Sequence, residues 1–208
     1  MVSEAGSVPV PHIGVFGGLF NPPHVGHLSL CQEAAWQLGL DRVVLVPTGR
    51  PSHRAAPREA PEMRLRLAQA AALGNPMFTV SRLEVDRIGP SYTVDTLREL
   101  SSRYPGSSLH LLIGADQLKA MDTWHEPGAI VQLARLAAAL RPGTDVSRVD
   151  APNLDWVEMP QIGISSSLIR ERVREGRPIR YFVPDAVREL IEAEGLYRDE
   201  FTEAIDPS

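Results

Sequence analysis

The chain has 208 residues, enough for one α/β domain with a full core, and its 43% hydrophobic and 23% charged residues are those of an ordinary globular protein. A formal net charge of −5 sets aside broad nucleic-acid binding driven by phosphate neutralisation, while an anionic small molecule held by local dipoles and a few cations stays open. One cysteine, Cys31, excludes an intrachain disulfide and a cysteine zinc cluster, and is read as a packing residue in a reducing, cytoplasmic setting. No segment approaches the roughly 18 unbroken apolar residues of a membrane helix. The opening MVSEAGSVPVP has no basic region ahead of an apolar run, so neither a membrane partner nor a secretory signal is expected.

Residues 1–11 read as a loose leader and 198–208 as an acidic, weakly ordered tail around a single domain at 12–197. HIGVFGG is a strand, and GHLSLCQEAAWQLGL a helix with Leu28, Cys31, Ala35 and Leu38 at helical spacing. RVVLVP is short and β-branched, the pattern of a buried parallel strand. A Pro- and Arg-rich loop, TGRPSHRAAPREAP, leads into a helix around EMRLRLAQAAAL. Residues 77–80 are extended, SYTVDTLRELSSRY is a helix and SLHLLIG a strong strand, whereas ARLAAALRPG fits strand or helix by pattern alone. LDWVEMP is a short strand, SSSLIRERVREG a helix, and PDAVRELIEAEGL a last helix with proline at its start. This alternation predicts a Rossmann-like doubly wound sheet, mainly parallel, with helices on both faces.

In such a sheet, ligands bind beyond the carboxyl ends of the strands. Gly17 and Gly18 occupy that place after the first strand, where the absence of Cβ atoms lets a phosphate approach the backbone amides. The helix starting near Val25 adds its N-terminal partial charge, and Pro22 and Pro23 stiffen the turn between them. His24 and His27 are three residues apart at that helix start, so their rings can share a side. Three readings compete for them: zinc ligands, which lack a nearby third protein ligand; ordinary half-buried histidines holding the loop; and donors to phosphate oxygens, which fits best.

GGLFNPPHVGH resembles the G-G-x-F-[DN]-P-x-H-x-G-H motif of the nucleotidyltransferase superfamily, whose members transfer an NMP group from a nucleoside triphosphate. The resemblance implies that His24 and His27 contact the triphosphate and stabilise the transition state, with Gly17, Gly18 and Phe20 in the same ATP site. Asn21 stands where many members have Asp, and Leu19 where Thr or Ser is common. The asparagine keeps a turn-forming side chain without the negative charge; the Leu19 side chain is given no role.

In ISSSLIRERVREG, any of Ser165, Ser166 and Ser167 can cap the helix and leave its first amides free, with Arg170 one turn on as a charge-assisted donor. Alone, the segment equally fits a capped surface helix with solvated arginines. It resembles the superfamily's I-S-S-T-x-I-R signature, with Ser167 in place of Thr, and this implies ATP contacts for Ile164, Ser165, Ser166 and Arg170, the last also catalytic. An acceptor that is a phosphate monoester is largely ionised at neutral pH and needs no protein base. The work is then positioning and charge stabilisation at the α-phosphorus, with Mg²⁺ held mainly by substrate phosphates and no protein metal ligand assigned.

The acceptor is implied by the middle of the chain. GPSYTVDTL and IGADQLKAMDTWHEPGAI resemble segments of bacterial nicotinate-nucleotide adenylyltransferases, as do VPTGRPSHR, LRPG and YFVPDAVRELIEAEGLY, together covering nearly the whole chain in the family's order. The resemblance implies adenylyl transfer from ATP to nicotinate mononucleotide, giving deamido-NAD and pyrophosphate, a step of NAD biosynthesis. It places the nicotinate end at Tyr92, Thr93 and Trp124. Trp124 offers a flat face for a pyridine ring, and amides at a helix start near Tyr92 and Thr93 suit a carboxylate. A core or lid tryptophan is the other reading of Trp124, and Tyr92 can serve through its backbone alone. Arg54 replaces the Lys of a P-P-H-K segment and can meet a phosphate as a fork, and Ser52 replaces that segment's second proline. Arg141 is a candidate for the mononucleotide phosphate or a solvated surface residue, and Asp116 matches a position near the adenosine ribose or caps a helix. Nicotinamide mononucleotide or phosphopantetheine as acceptor, and a nucleotide sensor without turnover, are the alternatives. A homo-oligomer stays open.

Overall fold

The computed structural model describes residues 10–52, 55–140 and 153–198. Among them, six strands form one sheet: β1 (His12–Gly18), β2 (Arg42–Pro47), β3 (Phe78–Val80), β4 (Ser108–Gly114), β5 (Arg135–Leu140) and β6 (Leu154–Glu158). Their order is β3-β2-β1-β4-β5-β6, and each neighbouring pair is parallel. The intervening helices are α1 (Val25–Gln37), α2 (Pro61–Ala72), α3 (Thr93–Arg103), α4 (Ala115–Lys119), α5 (Pro127–Leu133), α6 (Ser166–Arg174) and α7 (Asp185–Ala193), with a 3-10 turn at Met121–Thr123.

Strand residues alternate between two cores, as a sheet covered on both faces requires. Ile13, Val15, Val44, Val46, Leu111, Leu136 and Ala138 meet Val94, Leu97, Leu118 and Ile130 of α3, α4 and α5. Phe16, Val43, Leu45, Leu112, Ala137 and Ala139 point the other way, against Leu30, Cys31, Ala34 and Ala35 of α1 and Ala68 of α2. A third cluster joins Leu67 and Ala71 of α2 to Ile169 of α6 and Val187 and Ile191 of α7. Cys31 is fully buried and packs in the second core; burial lifts its thiol pKa far above the ordinary value. On α1 the buried face is Leu30, Cys31, Ala34 and Ala35, while Leu28 and Leu38 lie half-buried at its margins.

The ambiguous ARLAAAL stretch is β5, a strand despite its helix-favouring alanines. It lies between β4 and β6 with Ala137 and Ala138 fully buried, so ladder pairing and burial on both faces override local propensity. The segment IGADQLKAMDTWHEPGAI, whose pattern names no element, folds as the end of β4, the short helix α4, the 3-10 turn and the first half of α5. Arg54, Arg141, residues 1–9 of the leader and residues 199–208 of the tail lie outside the described residues.

One buried side chain ties these layers to the strand ends. Arg64 of α2, 1% exposed, donates from Nη1 to the carbonyls of Leu19 (3.1 Å) and Thr48 (2.5 Å). Its Nη2 reaches the Gly49 carbonyl at 3.0 Å and its Nε the Glu59 carbonyl at 3.3 Å. Burial pulls its pKa below the usual guanidinium value, and the nearby Glu59 opposes that fall. Gly49 is held against Glu84 so closely that a Cβ would stand 1.9 Å from the Glu84 carbonyl oxygen, a contact no other residue can make. Arg64→Met is expected to lower unfolding free energy in urea by about 3–5 kcal/mol, because it keeps the side-chain bulk but orphans four carbonyls.

Candidate active site

The β1–β2 ladder runs on to Gly18↔Pro47, but the β1–β4 ladder ends at Val15↔Leu111. Past Val15 the two central strands part, and the sheet order reverses between them, so the crevice opens where a doubly wound sheet places its ligand. Two adjoining cavities occupy it, of about 820 Å³ and 370 Å³, in the range of small-molecule sites. Gly17, Gly18, Leu19 and Gln117 line both. A Cβ on Gly17 would meet no protein atom within 4 Å, so the room beside this backbone is cavity space.

The larger cavity gathers residues from both ends of the chain: Gly17, Gly18, Phe20, His24 and His27 on one wall, Ile164, Ser165, Ser166, Ser167 and Arg170 on the other. The walls are tied directly. Ser166 Oγ donates to the Pro22 carbonyl at 2.8 Å, and Arg170 Nη1 to the Asn21 carbonyl at 2.7 Å, with its Nη2 on Ser167 Oγ at 3.1 Å. Ser165 is the N-cap of α6 and its Oγ accepts from the Leu168 amide at 3.2 Å, which leaves the Ser166 and Ser167 amides as first-turn donors of the helix. On α1 the first amide is spoken for, because Val25 N donates to the Phe182 carbonyl at 3.1 Å. The α6 terminus thus presents its Ser166 and Ser167 amides at this cavity, while the first amide of α1 is bonded elsewhere.

The two histidine rings stack with centroids 3.6 Å apart, and His27 also meets Phe20 edge-on at 5.6 Å. Gly26 makes room for the stack: a Cβ there would lie 3.1 Å from His24 Nδ1. The His27 Nδ1 accepts from the His24 amide at 3.2 Å, which puts the ring proton on Nε2. His24 Nδ1 is buried without a partner. Burial lowers the His24 pKa to about 4, and burial together with the neighbouring His24 lowers that of His27 to about 3. Both rings are neutral at physiological pH and can donate N–H bonds. Among the described residues no group of three or more His, Cys, Asp or Glu side chains is placed to hold a metal.

The smaller cavity lies against the start of α3. Tyr92 is the N-cap, in extended conformation and without a side-chain cap, so the first-turn amides from Thr93 onward have no intrahelical acceptor. Trp124 lines the same cavity, half-buried, and Tyr92 pairs with His125 at a ring distance of 4.4 Å. Asp116, expected beside the ATP group, lines this smaller cavity and not the larger one. Sequence reading missed several residues that shape the two cavities. Asn21, legible only as a departure from the motif, is buried, and Glu59, Arg174 and Tyr197 line the larger cavity. Glu84 and His125 line the smaller one, where Thr96 Oγ1 donates to Glu84 at 2.7 Å and burial raises the Glu84 carboxyl pKa. Glu59, His125, Arg174 and Tyr197 lie inside segments quoted above but carried no individual signal, and Glu84 lies outside them.

A cytidylyltransferase-like family model matches residues 15–172 of the chain. A probable nicotinate-nucleotide adenylyltransferase of Leifsonia xyli is 44% identical over 190 residues, covering 90% of this chain and 94% of the relative. One from Thermus thermophilus is 46% identical over 188 residues, covering 89% and 99%. Among solved structures, the nicotinic acid mononucleotide adenylyltransferase of Plasmodium falciparum complexed with NaAD superposes with a TM-score of 0.73 at 16% identity, over 90% of this chain and 97% of the other. A putative nicotinate-nucleotide adenylyltransferase of Vibrio parahaemolyticus gives a TM-score of 0.66 at 23% identity, over 91% and 97%. At these identities the two structures show the shared fold.

The depressed histidines make a prediction for stability. Both fold with pKa values below the unfolded value of about 6.5, so the unfolded chain binds more protons as pH falls. Their contribution is therefore complete above the unfolded pKa and is lost as the pH falls towards about 4 and about 3. Thermal unfolding midpoints should fall on acidification through that window, and the slope should flatten in the His24→Gln, His27→Gln double variant.

Proposed function

The chain belongs to the nicotinate-nucleotide adenylyltransferases of the cytidylyltransferase-like family, and on that premise we propose that His24, His27, Arg170 and the α6 amides carry out adenylyl transfer from ATP to nicotinate mononucleotide. The products are deamido-NAD and pyrophosphate. The observation that carries the reading is the convergence of two cradles from opposite ends of the sequence on one cavity that opens into a second, aromatic-lined one.

In this reading the triphosphate lies in the larger cavity. Neutral His24 and His27 donate to its oxygens, Arg170 adds a cation already oriented by the Asn21 carbonyl, and the Ser166 and Ser167 amides complete the cradle. The mononucleotide places its pyridine ring beside Trp124 and its carboxylate at the first amides of α3, in the smaller cavity. Its phosphate then faces the seam at Gly17–Leu19. One of its oxygens, already ionised, attacks the α-phosphorus; that P–O bond forms as the bond to the bridging oxygen breaks and pyrophosphate leaves. No protein base is needed. Mg²⁺ would enter with the substrate as MgATP, held mainly by the substrate phosphates. Arg54 and Arg141, outside the described residues, are proposed to meet the acceptor phosphate. Among the described residues no helix is long and apolar enough to cross a membrane, and cytoplasmic residence is part of the same proposal.

Pyrophosphate release from MgATP, measured in parallel with nicotinate and nicotinamide mononucleotides, tests the reading. Strong preference for the acid is expected. Equal use would remove the carboxylate site at Tyr92–Thr93, and release with neither would leave a nucleotide sensor. His24→Ala should lower kcat by about 100-fold or more, the scale of losing one preorganised donor to developing charge. Trp124→Ala should act mainly on the KM of the acceptor, about tenfold, as expected for one lost stacking contact.

A further inference from the structure

Asn21 lies beneath the histidine turn, 6% exposed, with each end of its side-chain amide engaged. Its Oδ1 accepts from the Tyr197 hydroxyl at 2.8 Å, and its Nδ2 donates to Glu59 Oε2 at 2.7 Å. Its own backbone carbonyl is the one that anchors Arg170, at 2.7 Å. Arg64 holds the Glu59 carbonyl and the Leu19 carbonyl from one guanidinium, which keeps Glu59 beside the turn that carries Asn21. Glu59 and Tyr197 bond the amide directly, Arg64 and Arg170 act electrostatically on Tyr197, and His24, His27, Arg58, Arg174 and Arg198 line the same cavity. Burial and Glu59 both raise the Tyr197 pKa, so the hydroxyl keeps its proton and remains a donor.

A side chain at position 21 must therefore accept from a phenol on one side and donate to a carboxylate on the other. An amide does both; a carboxylate does only the first, and would set two negative charges at hydrogen-bond distance in a partly buried place. We propose that Asn21 is a positioning residue for Arg170, and that positions 21 and 59 share one negative charge, carried here by Glu59. The amide joins Glu59 and Tyr197, and that grip sets the peptide carbonyl that directs Arg170 at the triphosphate. This inference rests on the adenylyl-transfer reading for what Arg170 contacts, but the pairing itself belongs to the ligand-free protein.

The test compares wild type, Asn21→Asp and the double variant Asn21→Asp, Glu59→Gln, in which the charge and the amide exchange places. Steady-state kinetics with MgATP and nicotinate mononucleotide are run from mildly acidic to mildly alkaline pH, beside thermal unfolding without substrates. For Asn21→Asp, kcat should fall about tenfold or more at alkaline pH, with a smaller change in the KM for MgATP, and should recover on acidification as the two carboxylates come to share a proton. The double variant should regain most of the lost kcat and lose that pH dependence, because the new amide at position 59 can donate to the new carboxylate at position 21 while Tyr197 still donates from the other side. Unfolding midpoints should follow the same order and the same pH pattern. An Asn21→Asp protein that matches wild type at every pH would overturn the proposal, as would a loss that Glu59→Gln does not relieve. If wild type makes no product while the midpoints keep the expected pattern, the pairing stands and the adenylyl-transfer reading fails.

Discussion

A single buried cation, Arg64, sets the geometry on which the rest of the site depends. Its guanidinium spends its hydrogen bonds on the carbonyls of Leu19, Thr48, Gly49 and Glu59, which come from three separate segments of the chain. Those segments leave the carboxyl ends of β1 and β2 and the approach to α2, where ladder pairing has stopped and backbone carbonyls would otherwise face the interior unpaired. Burying the guanidinium is costly, and burying the carbonyls without it is costly too; together they satisfy one another. The constraint reaches both cavities, since Leu19 lines both, Thr48 the smaller and Glu59 the larger.

From that anchor the cradle is assembled by tethers between the first and last thirds of the chain. Ser166 binds the Pro22 carbonyl, Arg170 the Asn21 carbonyl, the Phe182 carbonyl takes the Val25 amide, and Tyr197 binds the Asn21 side chain. The apolar cluster of α2, α6 and α7 holds the last third in place while these polar contacts set its register. The wall of the larger cavity is thus continuous although its halves are remote in sequence.

Burial keeps the paired histidines uncharged. His24 and His27 are neutral, stacked and partly sealed by Phe16 and Phe20. A pair of imidazoliums in contact would repel each other and need hydration that the pocket withholds. Neutral rings offer N–H donors without that penalty.

The first and last motifs were legible in the chain, because glycine–proline turn chemistry, a His-x-x-His pair and a Ser-capped helix with Arg170 are local patterns with local consequences. Strand and helix alternation likewise determined the doubly wound class, since short continuous apolar runs between amphipathic helices are buried by helices on both faces. What the sequence could not express was adjacency. The alanine-rich β5 is a strand only because β4 and β6 flank it, and α4 and α5 are too short to announce themselves. Arg64 reads in the sequence as one more charge on an amphipathic helix; its burial follows from where three loops happen to meet. Asn21 and Glu59, 38 residues apart, become partners for the same reason. Residue types and their spacing along the chain determined the chemistry available, while the tertiary structure alone decided which groups share a desolvated space and so which of them carry charge.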